Sequence, residues 1–550
     1  MTRRKTASAL PAQASGGILR LAIGVGAAGL LTVTVAQAQD APPPPLIDFA
    51  QQQNTNSNLQ NVATAVQVIC PQLVGLQGGD SAAENVALWL AEDDPDLQTT
   101  RDLTLRCNEL VITARNNLDR GEGGRDLMVD DADLVGSLQQ VTAEEIGSQG
   151  TLTVRASNGQ FANVAGRLDA IRIASLSSGF GSGAAAFNWQ LDGQEVTASS
   201  LGLAEPLTGG GAAADSQRRW GWFLTGGYNT GDFDRDVQRE GGDLEDSFDF
   251  DTLSATGGFD YRWDNFVLGA AIGYDDYDAD IDSASDDGGQ LVSGGSTDAD
   301  GYSGSIFGLY FLNNFFIDGI VTVGKLDFDL ERELFYVGNG DAALDTLGVS
   351  QTLDADTDAD HYMLGLSVGY TFYTGAWMIE PQLAYSYRNV DVDGYTENAR
   401  INDTGSSGGM NLRVDDYDID SKRTIAGVQV SRNYSTSFGV LVPSARFDWY
   451  HEFEDDGQSI DAKYALEDEL ADELGGPFSS NIGFGSDGTA NCLSCFRILT
   501  DDPEADYFVL GIALAARFKN GLQGFVGWDG LLGYDDLTSN AFTLGIRGAF

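Results

Sequence analysis

The chain ends with the stretch Phe542-Thr543-Leu544-Gly545-Ile546-Arg547-Gly548-Ala549-Phe550, in which apolar residues alternate with small or polar ones. A β-strand places successive side chains on opposite faces. One face therefore carries Phe542, Leu544, Ile546 and Phe550, and the other carries Arg547. A soluble domain rarely needs a final strand that is apolar outside and carries arginine inside. The wall of a membrane-spanning barrel does, because its exterior contacts lipid and its lumen contacts water.

The other end of the chain has the layout of a secretory signal peptide. Basic residues at positions 3–5 and 20 precede the uncharged run 21–35, and Ala36-Gln37-Ala38 follows. We expect residues 1–38 to be removed after Ala38. The alternative is a retained anchor, for which the uncharged run is short. No later stretch is apolar enough for a spanning helix, so the mature chain must cross a membrane with strands. These features predict the outer membrane of a Gram-negative bacterium.

The amino-acid composition excludes some functions and favours a membrane barrel. The formal net charge is −51, which makes nucleic acid an unfavourable partner. The 69 Gly, 19 Tyr and 28 Phe suit a crowded lumen and aromatic rings at two membrane interfaces. Four Cys in an exported protein favour disulfides. Only two histidines, His361 and His451, are present, which restricts acid-base catalysis.

Residues 39–128 form the first region of the predicted mature chain. After the extended leader Pro42–Pro45, apolar residues recur at a spacing of three to four, as at Val62, Val66 and Ile69, and this predicts short helices. Cys70 and Cys107 each lie within one such pattern. We expect a disulfide that joins two helices, with free thiols as the alternative.

Residues 129–218 form a second region. The apolar spacing between Asp130 and Leu176 predicts one or two amphipathic helices, which Gly147, Gly150 and Gly159 interrupt. Residues 177–218 are rich in Gly, Ser and Ala, which is typical of a linker, with a small hairpin around Asp192-Gly193.

From residue 219 to 550 the pattern changes to period two. We count twelve strand candidates, at about 219–230, 250–263, 265–275, 301–312, 315–328, 360–373, 376–390, 419–433, 437–453, 505–518, 521–533 and 538–550. Long connections alternate with tight turns such as Asn520-Gly521, apart from one short connection near Tyr534. This predicts an all-β transmembrane barrel of twelve antiparallel strands behind a small, mainly helical N-terminal domain.

The charges of these strands fall on the face opposite the apolar residues. The predicted lumen charges are Asp260, Arg262, Asp318, Glu380, Arg388, Arg423, Arg446, Asp448, Arg517 and Arg547. A soluble β-sandwich would also give alternation, but strands this long with long loops on one side fit it poorly. The charges either pair with each other and with an inserted helix, or line an aqueous channel. We favour a pore blocked by the linker region.

The chain resembles the autotransporters of type V secretion. The likeness lies in Trp220-Gly221-Trp222, Gly257–Arg262, Glu380-Pro381-Gln382 and the terminal Ala541–Phe550. The resemblance implies a barrel that inserts into outer-membrane lipid through the barrel-assembly machinery, which recognises the terminal aromatic strand. It also implies a helix that precedes the barrel and threads its lumen. The N-terminal region departs from the family by being short and helical.

Two short motifs are candidate sites. Gly79-Asp80-Ser81 faintly resembles the nucleophile block of lipase-type esterase passengers, but a serine nucleophile needs a base, and both histidines lie far down the chain. Helix capping by Asp80 or Ser81 is the favoured role. Cys492-Leu493-Ser494-Cys495 lacks the further ligands of a zinc site, and a small-loop disulfide is favoured over thiol exchange.

The outer loops are predicted to be acidic. Residues 329–358 and 454–502 carry many carboxylates, and Asp354-Ala355-Asp356-Thr357-Asp358 suggests weak calcium binding. The alternative is a solvated surface that keeps the protein soluble. We expect no cofactor and no catalytic activity. The leading hypothesis is a barrel that anchors and displays or translocates its own N-terminal region. The alternative is a channel or surface-loop binding protein with periplasmic helices.

Overall fold

The computed structural model describes residues 44–76, 95–148, 158–176, 189–191, 194–196, 219–234, 247–281, 294–340, 348–401, 409–474, 478–484 and 489–549. Its helices are α1 Pro45–Gln52, α2 Ser57–Leu76, α3 Pro95–Asn117, α4 Asp131–Thr142, α5 Gly159–Leu176 and α6 Leu466–Leu474. Two short strands, Trp189–Leu191 and Gln194–Val196, pair with each other. The predicted signal peptide lies outside the described residues.

Twelve strands form the barrel: β1 Trp220–Phe233, β2 Phe248–Arg262, β3 Phe266–Ile281, β4 Gly295–Leu312, β5 Phe315–Val337, β6 Gly348–Tyr370, β7 Trp377–Val392, β8 Tyr417–Arg432, β9 Gly439–Glu452, β10 Asp506–Phe518, β11 Gln523–Leu532 and β12 Leu537–Ala549. Each pairs antiparallel with its neighbours, and β12 pairs with β1 from Ala549–Gly221 to Leu537–Phe233. The predicted barrel is therefore confirmed. Short strands at Phe372–Thr374, Asn398–Ile401 and Tyr434–Ser435 extend it.

The exterior of the barrel carries an apolar band between two rings of aromatic side chains. At the end with the short turns, here the turn end, Tyr261 packs on Trp220 and Trp263 with ring centroids 4.9 and 4.6 Å apart. Toward the end with the long connections, the loop end, Tyr274 lies 5.1 Å from Tyr302. Such rings mark the two membrane interfaces. Among the described helices, none has the length and hydropathy of a membrane span.

Several strands continue beyond the apolar band at the loop end. β5 and β6 reach Val337 and Gly348, whereas the sequence pattern predicted ends near 328 and 360. The acidic residues from Asp329 onward were expected in a loop, and this was wrong for most of that stretch. They alternate with buried residues such as Leu330 and Leu334, so one face of each extended strand is apolar. Asp341 and Asp345 lie outside the described residues.

These strand extensions share a hydrophobic core with helices α1 to α4. Leu326 and Phe328 of β5 are buried in the same cluster as Phe49, Val66 and Leu138 of the helices. α2 and α3 span 20 and 23 residues and are longer than the short helices expected. α4, which the sequence analysis grouped with the linker, belongs to this core as well.

Polar contacts attach the helices to the loop end. On α2, Asn58 donates to the carbonyl of Leu499 at 2.9 Å and accepts from its backbone N–H at 2.7 Å. Gln140 of α4 accepts from the N–H of Phe335 at 3.0 Å, and Arg106 of α3 donates to the carbonyl of Gly348 at 2.5 Å. Helices and strand extensions thus form one packed unit.

A second sheet covers part of the loop end. Its strands run in the order Tyr395–Thr396, Leu412–Val414, Ser459–Tyr464 and Phe496–Leu499, and α6 follows the third. Residues 454–502 were expected to be a solvated loop, and the structure corrects this, because Ile460, Ala462 and Ile498 are buried. A buried bidentate pair between Arg332 and Glu397, at 2.8 and 2.7 Å, ties this region to β5.

The outer face of the extensions carries paired aspartates. In the register of β2 to β6, Asp251, Asp278, Asp298, Asp329 and Asp356 face one another in a continuous row. A parallel row contains Asp276, Asp300, Asp327 and Asp358. We call these nine residues the aspartate belt. Like charges directly opposite each other destabilise a sheet, so the belt costs stability at neutral pH.

The protonation of the belt reflects this crowding. A hydrogen bond with Asp356 raises the pKa of Asp329 above its usual value, and a hydrogen bond with Asp358 does the same for the pKa of Asp327. Burial and then the hydrogen bond with Asp278 raise the pKa of Asp298. A group whose pKa is higher when folded stabilises the folded state at low pH, and this contribution is lost as the pH rises through the raised value.

Asp329→Asn should therefore stabilise the strand extensions at pH 7 and flatten their pH dependence, because one carboxylate of the Asp329–Asp356 pair is removed. Hydrogen exchange of residues 325–337, corrected for intrinsic rates, should be slower than in the wild type at pH 7 and similar at pH 4. The matched control is Asp420→Asn, since Asp420 accepts hydrogen bonds from Tyr387 and Asn389 at 3.0 and 3.1 Å. Equal stabilisation by both variants would contradict the pairing argument.

Candidate functional site in the barrel lumen

Helix α5 lies inside the barrel. Its apolar residues Val164, Leu168 and Ile171 are buried against inward-facing residues of β1 to β5, among them Phe223 and Phe307. Its first turn lies toward the loop end and its last turn toward the turn end, since Gln160 contacts Ser305 and Arg172 contacts Asp318. The described segment that lies in the lumen is therefore α5. Residues 177–188, part of the predicted linker, lie outside the described residues.

Ion pairs hold the half of α5 that lies nearer the turn end. Arg167, with 1% of its side chain exposed, pairs with Asp260 of β2, and Arg547 of β12 reaches the same carboxylate at 3.4 Å. Arg172 pairs with Asp318 of β5 at 2.8 Å. Both helix arginines also lie over rings, Arg167 over Phe223 at 5.1 Å from its centroid. Such contacts add to the ion pairs because the rings attract cations.

The upper half of α5 is held by neutral hydrogen bonds. Asn163 donates to Ser254 and Thr256 at 3.0 and 3.1 Å, and Gln160 donates to Ser305 at 3.1 Å. The helix lies so close to the wall that a Cβ at Gly273 would stand 2.0 Å from Gln160 Oε1. A side chain at position 273 would therefore displace the Gln160 carboxamide.

The remaining predicted lumen charges also face inward. Arg388 donates to Asn158 at 2.7 Å, Arg423 donates to Tyr507 at 3.0 Å, and Glu380 accepts from Thr371 at 3.1 Å. Arg446 pairs with Asp448 and with Asp529 at 2.8 Å each, and with Asp169 of α5 at 3.5 Å. Arg262 is buried, and Arg517 is half-buried at the turn end.

The sequence analysis missed the apolar wall on which α5 rests. It treated the inward face as small or polar, yet Val267, Phe307, Leu309, Phe316 and Ile320 are inward and buried. The sequence did contain a pattern that indicates an apolar inward face. It has runs such as Phe266-Val267-Leu268 and Phe315-Phe316-Ile317, which are apolar on both faces of the strand. A barrel strand that is apolar on both faces needs a partner inside.

Both predicted disulfides are present in the structure. The structure pairs Cys70 with Cys107, joining α2 to α3 with 5.8 Å between Cα atoms, and Cys492 with Cys495 at 5.4 Å. The outward residues of the terminal strand, Phe542, Leu544 and Ile546, are exposed. Gly79-Asp80-Ser81 and Phe550 lie outside the described residues.

The described ranges contain no group of three or more His, Cys, Asp or Glu side chains arranged to hold a metal ion. Asp354, Asp356 and Asp358 lie along one strand, β6, and point to one face. Weak calcium binding stays a prediction.

Known proteins resemble part of this chain. The family model described as the autotransporter β-domain matches residues 222–483. Two proteins named Esterase EstA, from Pseudomonas aeruginosa and Pseudomonas putida, are 27% identical over 250 residues, which are 44% of this chain and 33% of the relative. The chain thus spans about a third of the length of these relatives.

Solved structures with similar coordinates include two autotransporter barrels. The translocator domain of NalP from Neisseria meningitidis is 12% identical with a TM-score of 0.40, covering 64% of this chain and 97% of that one. The β-domain of the Bordetella autotransporter BrkA is 15% identical with a TM-score of 0.37, covering 60% and 100%.

The expectation that the chain has no catalytic activity is contradicted by the relatives named esterases. That expectation rested on the sequence distance between Ser81 and the histidines. The fold shows why distance along the chain is a poor guide, because Asn58 and Leu499 are hydrogen-bonded although 441 residues separate them. His451 itself lies 3.0 Å from Asp506 through Nδ1.

Asp260→Asn should release α5 from the wall, because Arg167 and Arg547 would lose their shared carboxylate. Removing one partner of a buried pair costs about 3–5 kcal/mol. In a chain that also carries Leu168→Cys, we expect maleimide to react at least about tenfold faster, since about 1.4 kcal/mol corresponds to a factor of ten. The four native cysteines are paired and do not compete.

The control for this measurement is Asp529→Asn, which removes a partner of Arg446 on the opposite wall and makes no ion pair with α5 in the described contacts. Its Leu168→Cys labelling should match the background chain. Unchanged labelling in Asp260→Asn would show that the ion pairs do not hold the helix.

Proposed function

This chain carries an autotransporter β-domain in the outer membrane, and from that premise we propose that the barrel anchors its own N-terminal helices and displays them at the cell surface. The observation that carries the proposal is the shared core of α1 to α4 with the strand extensions at the loop end. Long connections of such barrels face outward and short turns face the periplasm. Helices packed at the loop end are therefore external.

The path of the chain supports the same assignment. α5 runs through the lumen with its first turn toward the loop end and its last turn toward the turn end, next to which β1 begins. A segment that enters from the turn end and leaves at the loop end connects periplasm to exterior. Insertion through the barrel-assembly machinery is proposed to use the exposed residues of β12, notably Phe542 and Leu544.

The alternative of periplasmic helices is less well supported. It would require α1 to α4 to abandon a core that includes Phe328, Leu330 and Tyr336. Burial of each such side chain contributes about 1.5–3 kcal/mol. The contacts therefore favour a displayed region that stays attached.

Display is tested with two single cysteines. Val68→Cys lies on α2, where the side chain is 40% exposed, and Lys519→Cys lies in the exposed turn between β10 and β11. On intact cells, a maleimide coupled to a polymer too large to cross the outer membrane should label Val68→Cys only. Lysed cells should give both products. Failure to label Val68→Cys on intact cells, with labelling restored after lysis, would place the helices in the periplasm and reject display.

A second candidate function is ester hydrolysis, which the two relatives named Esterase EstA favour. The sequence offers Gly79-Asp80-Ser81 as a nucleophile block, and a serine nucleophile needs a base. If that base is a histidine, it is His361 or His451, because the chain has no other.

Cells that carry the chain should then hydrolyse p-nitrophenyl butyrate, and Ser81→Ala should lower the rate by about a hundredfold or more, since a positioned nucleophile and base contribute at least that much. One of His361→Ala and His451→Ala should match it. The control is Ser57→Ala, at the exposed start of α2. Hydrolysis that survives in Ser81→Ala would exclude this serine as the nucleophile.

A further inference from the structure

Helix α5 leaves part of the barrel interior unfilled at the loop end. The helix packs against β1 to β5, and a cavity of about 360 Å³ remains between its first turn and the strands from β8 to β12. The segments 500–504 and 534–537 line the mouth of this cavity. Sites for small molecules occupy about 300–1,000 Å³. The cavity is therefore large enough for a small organic ligand.

The mouth of the cavity is acidic. Its described residues include no lysine, and they carry the carboxylates Glu454, Asp501, Asp502, Glu504, Asp535 and Asp536. The lining also contains Arg388 and Arg423, and both are engaged by the protein. Arg388 donates to Asn158 at 2.7 Å, and Arg423 donates to Tyr507 at 3.0 Å. A cleft lined by one sign of charge concentrates ions of the opposite sign, so the mouth favours a cationic ligand.

Other parts of the lining are apolar or aromatic. Ile419 of β8 and Leu537 of β12 are 6% and 5% exposed, and they line the cavity together with Leu531. Tyr507 and Tyr534 add two rings, with centroids 5.3 Å apart and planes at 58°. Aromatic faces attract ammonium groups, and apolar side chains pack against methylene groups. This lining suits a cation with an aliphatic segment better than a hydrated metal ion.

A hydroxyl without a partner lies inside the same cavity. Thr252 of β2 lines the cavity and is 6% exposed, and its Oγ1 has no hydrogen-bond partner in the described part of the chain. Burial of a hydroxyl without a hydrogen bond is unfavourable. A hydroxyl oxygen can accept from an ammonium N–H. Thr252 thus points to a ligand with a polar donor, independently of the carboxylates.

Thr252 and the acidic mouth lie at different depths. In the barrel register, Thr252 is level with Asn229 of β1, and Asn229 is level with Ala541 of β12. Asp536 precedes Ala541 by five residues, which corresponds to about 16 Å of extended chain. A ligand that contacts both Thr252 and the mouth must therefore carry two cationic groups separated by a chain of several atoms.

We propose that this cavity is a binding site for a linear aliphatic polyamine. One ammonium group donates to Thr252, the methylene groups pack along Ile419 and Leu537, and a second ammonium group lies at the mouth near Asp535 and Asp536. A quaternary ammonium has no N–H to donate to Thr252. The site does not depend on where the N-terminal helices are displayed, so failure of one proposal leaves the other intact.

The test is calorimetric titration of the full chain, refolded in detergent, with spermidine as the probe in about 0.15 M KCl, where distant charges are screened. We expect saturable binding at one site per chain. Ethylenediamine cannot reach from Thr252 to the mouth, so it should bind at least about tenfold more weakly. An equal concentration of Mg²⁺ should leave spermidine bound. Absence of saturable binding, or displacement by Mg²⁺, would show that the carboxylates only gather counter-ions and would overturn the proposal.

Thr252→Val removes the hydroxyl and keeps the shape of the side chain. It should weaken spermidine binding about tenfold, because a hydrogen bond to a charged group is lost. The matched control is Thr225→Val. Thr225 of β1 is also buried, with a hydroxyl that has no partner among the described residues, but it does not line the cavity. This control should bind as the wild type does. An equal loss in both variants, or no loss in Thr252→Val, would reject the site.

The double variant Asp535→Asn/Asp536→Asn tests the mouth and should also weaken binding at least about tenfold. Its control, Asp278→Asn/Asp356→Asn, removes two charges from the aspartate belt outside the cavity and should leave the affinity close to that of the wild type. Equal weakening by the two pairs would mean that binding follows net charge alone, which contradicts a defined site. Folding of every variant is checked by heat-modifiable electrophoretic mobility. If Thr252→Val does not fold, the two pairs decide the outcome.

Discussion

The closure of β12 onto β1 is the constraint on which the rest of the structure depends. An open sheet edge in lipid would leave backbone N–H and C=O groups without partners, so the first and last strands must pair. Asp260 lies beneath this seam, with Arg547 of β12 on one side and Arg167 of α5 on the other. Gly221 of β1 makes room, since a Cβ there would stand 2.7 Å from Asp260 Oδ1. Helix α5 is thus held to the wall at the place where β12 pairs with β1.

The same strands serve two environments by exchanging the polarity of their faces. In β5, the outward residues Val321 and Val323 contact lipid, and after Lys325 the outward positions become acidic. The inward positions change from small or polar to apolar, from Thr322 and Gly324 to the buried Leu326. Period two is unbroken across the change. A single strand therefore lines a membrane barrel below and supports a water-soluble core above.

This exchange explains what the sequence could and could not reveal. The number and order of the strands and their outward faces followed from alternation and turn residues. The strand ends did not, because an acidic outward face after Asp327 looks like loop composition when only lipid-facing patterns are sought. The position of α5 was likewise hidden, since its partners Phe307 and Phe316 were not distinguished from lipid-facing neighbours. Long-range contacts such as Asn58 with Leu499 have no local signal.

The shared core also explains why the N-terminal helices lie at the loop end of the barrel. Alone, α1 to α4 have only one another and the Cys70–Cys107 bridge, and the cluster that includes Val66 lacks its barrel members. The remaining partners, Phe328 among them, exist only once the strand extensions have formed. Hydrophobic burial is favourable in proportion to the area removed from water. The free energy of completing the helical fold is therefore released only at the loop end. Under the display proposed above, it would oppose return of the helices through the lumen.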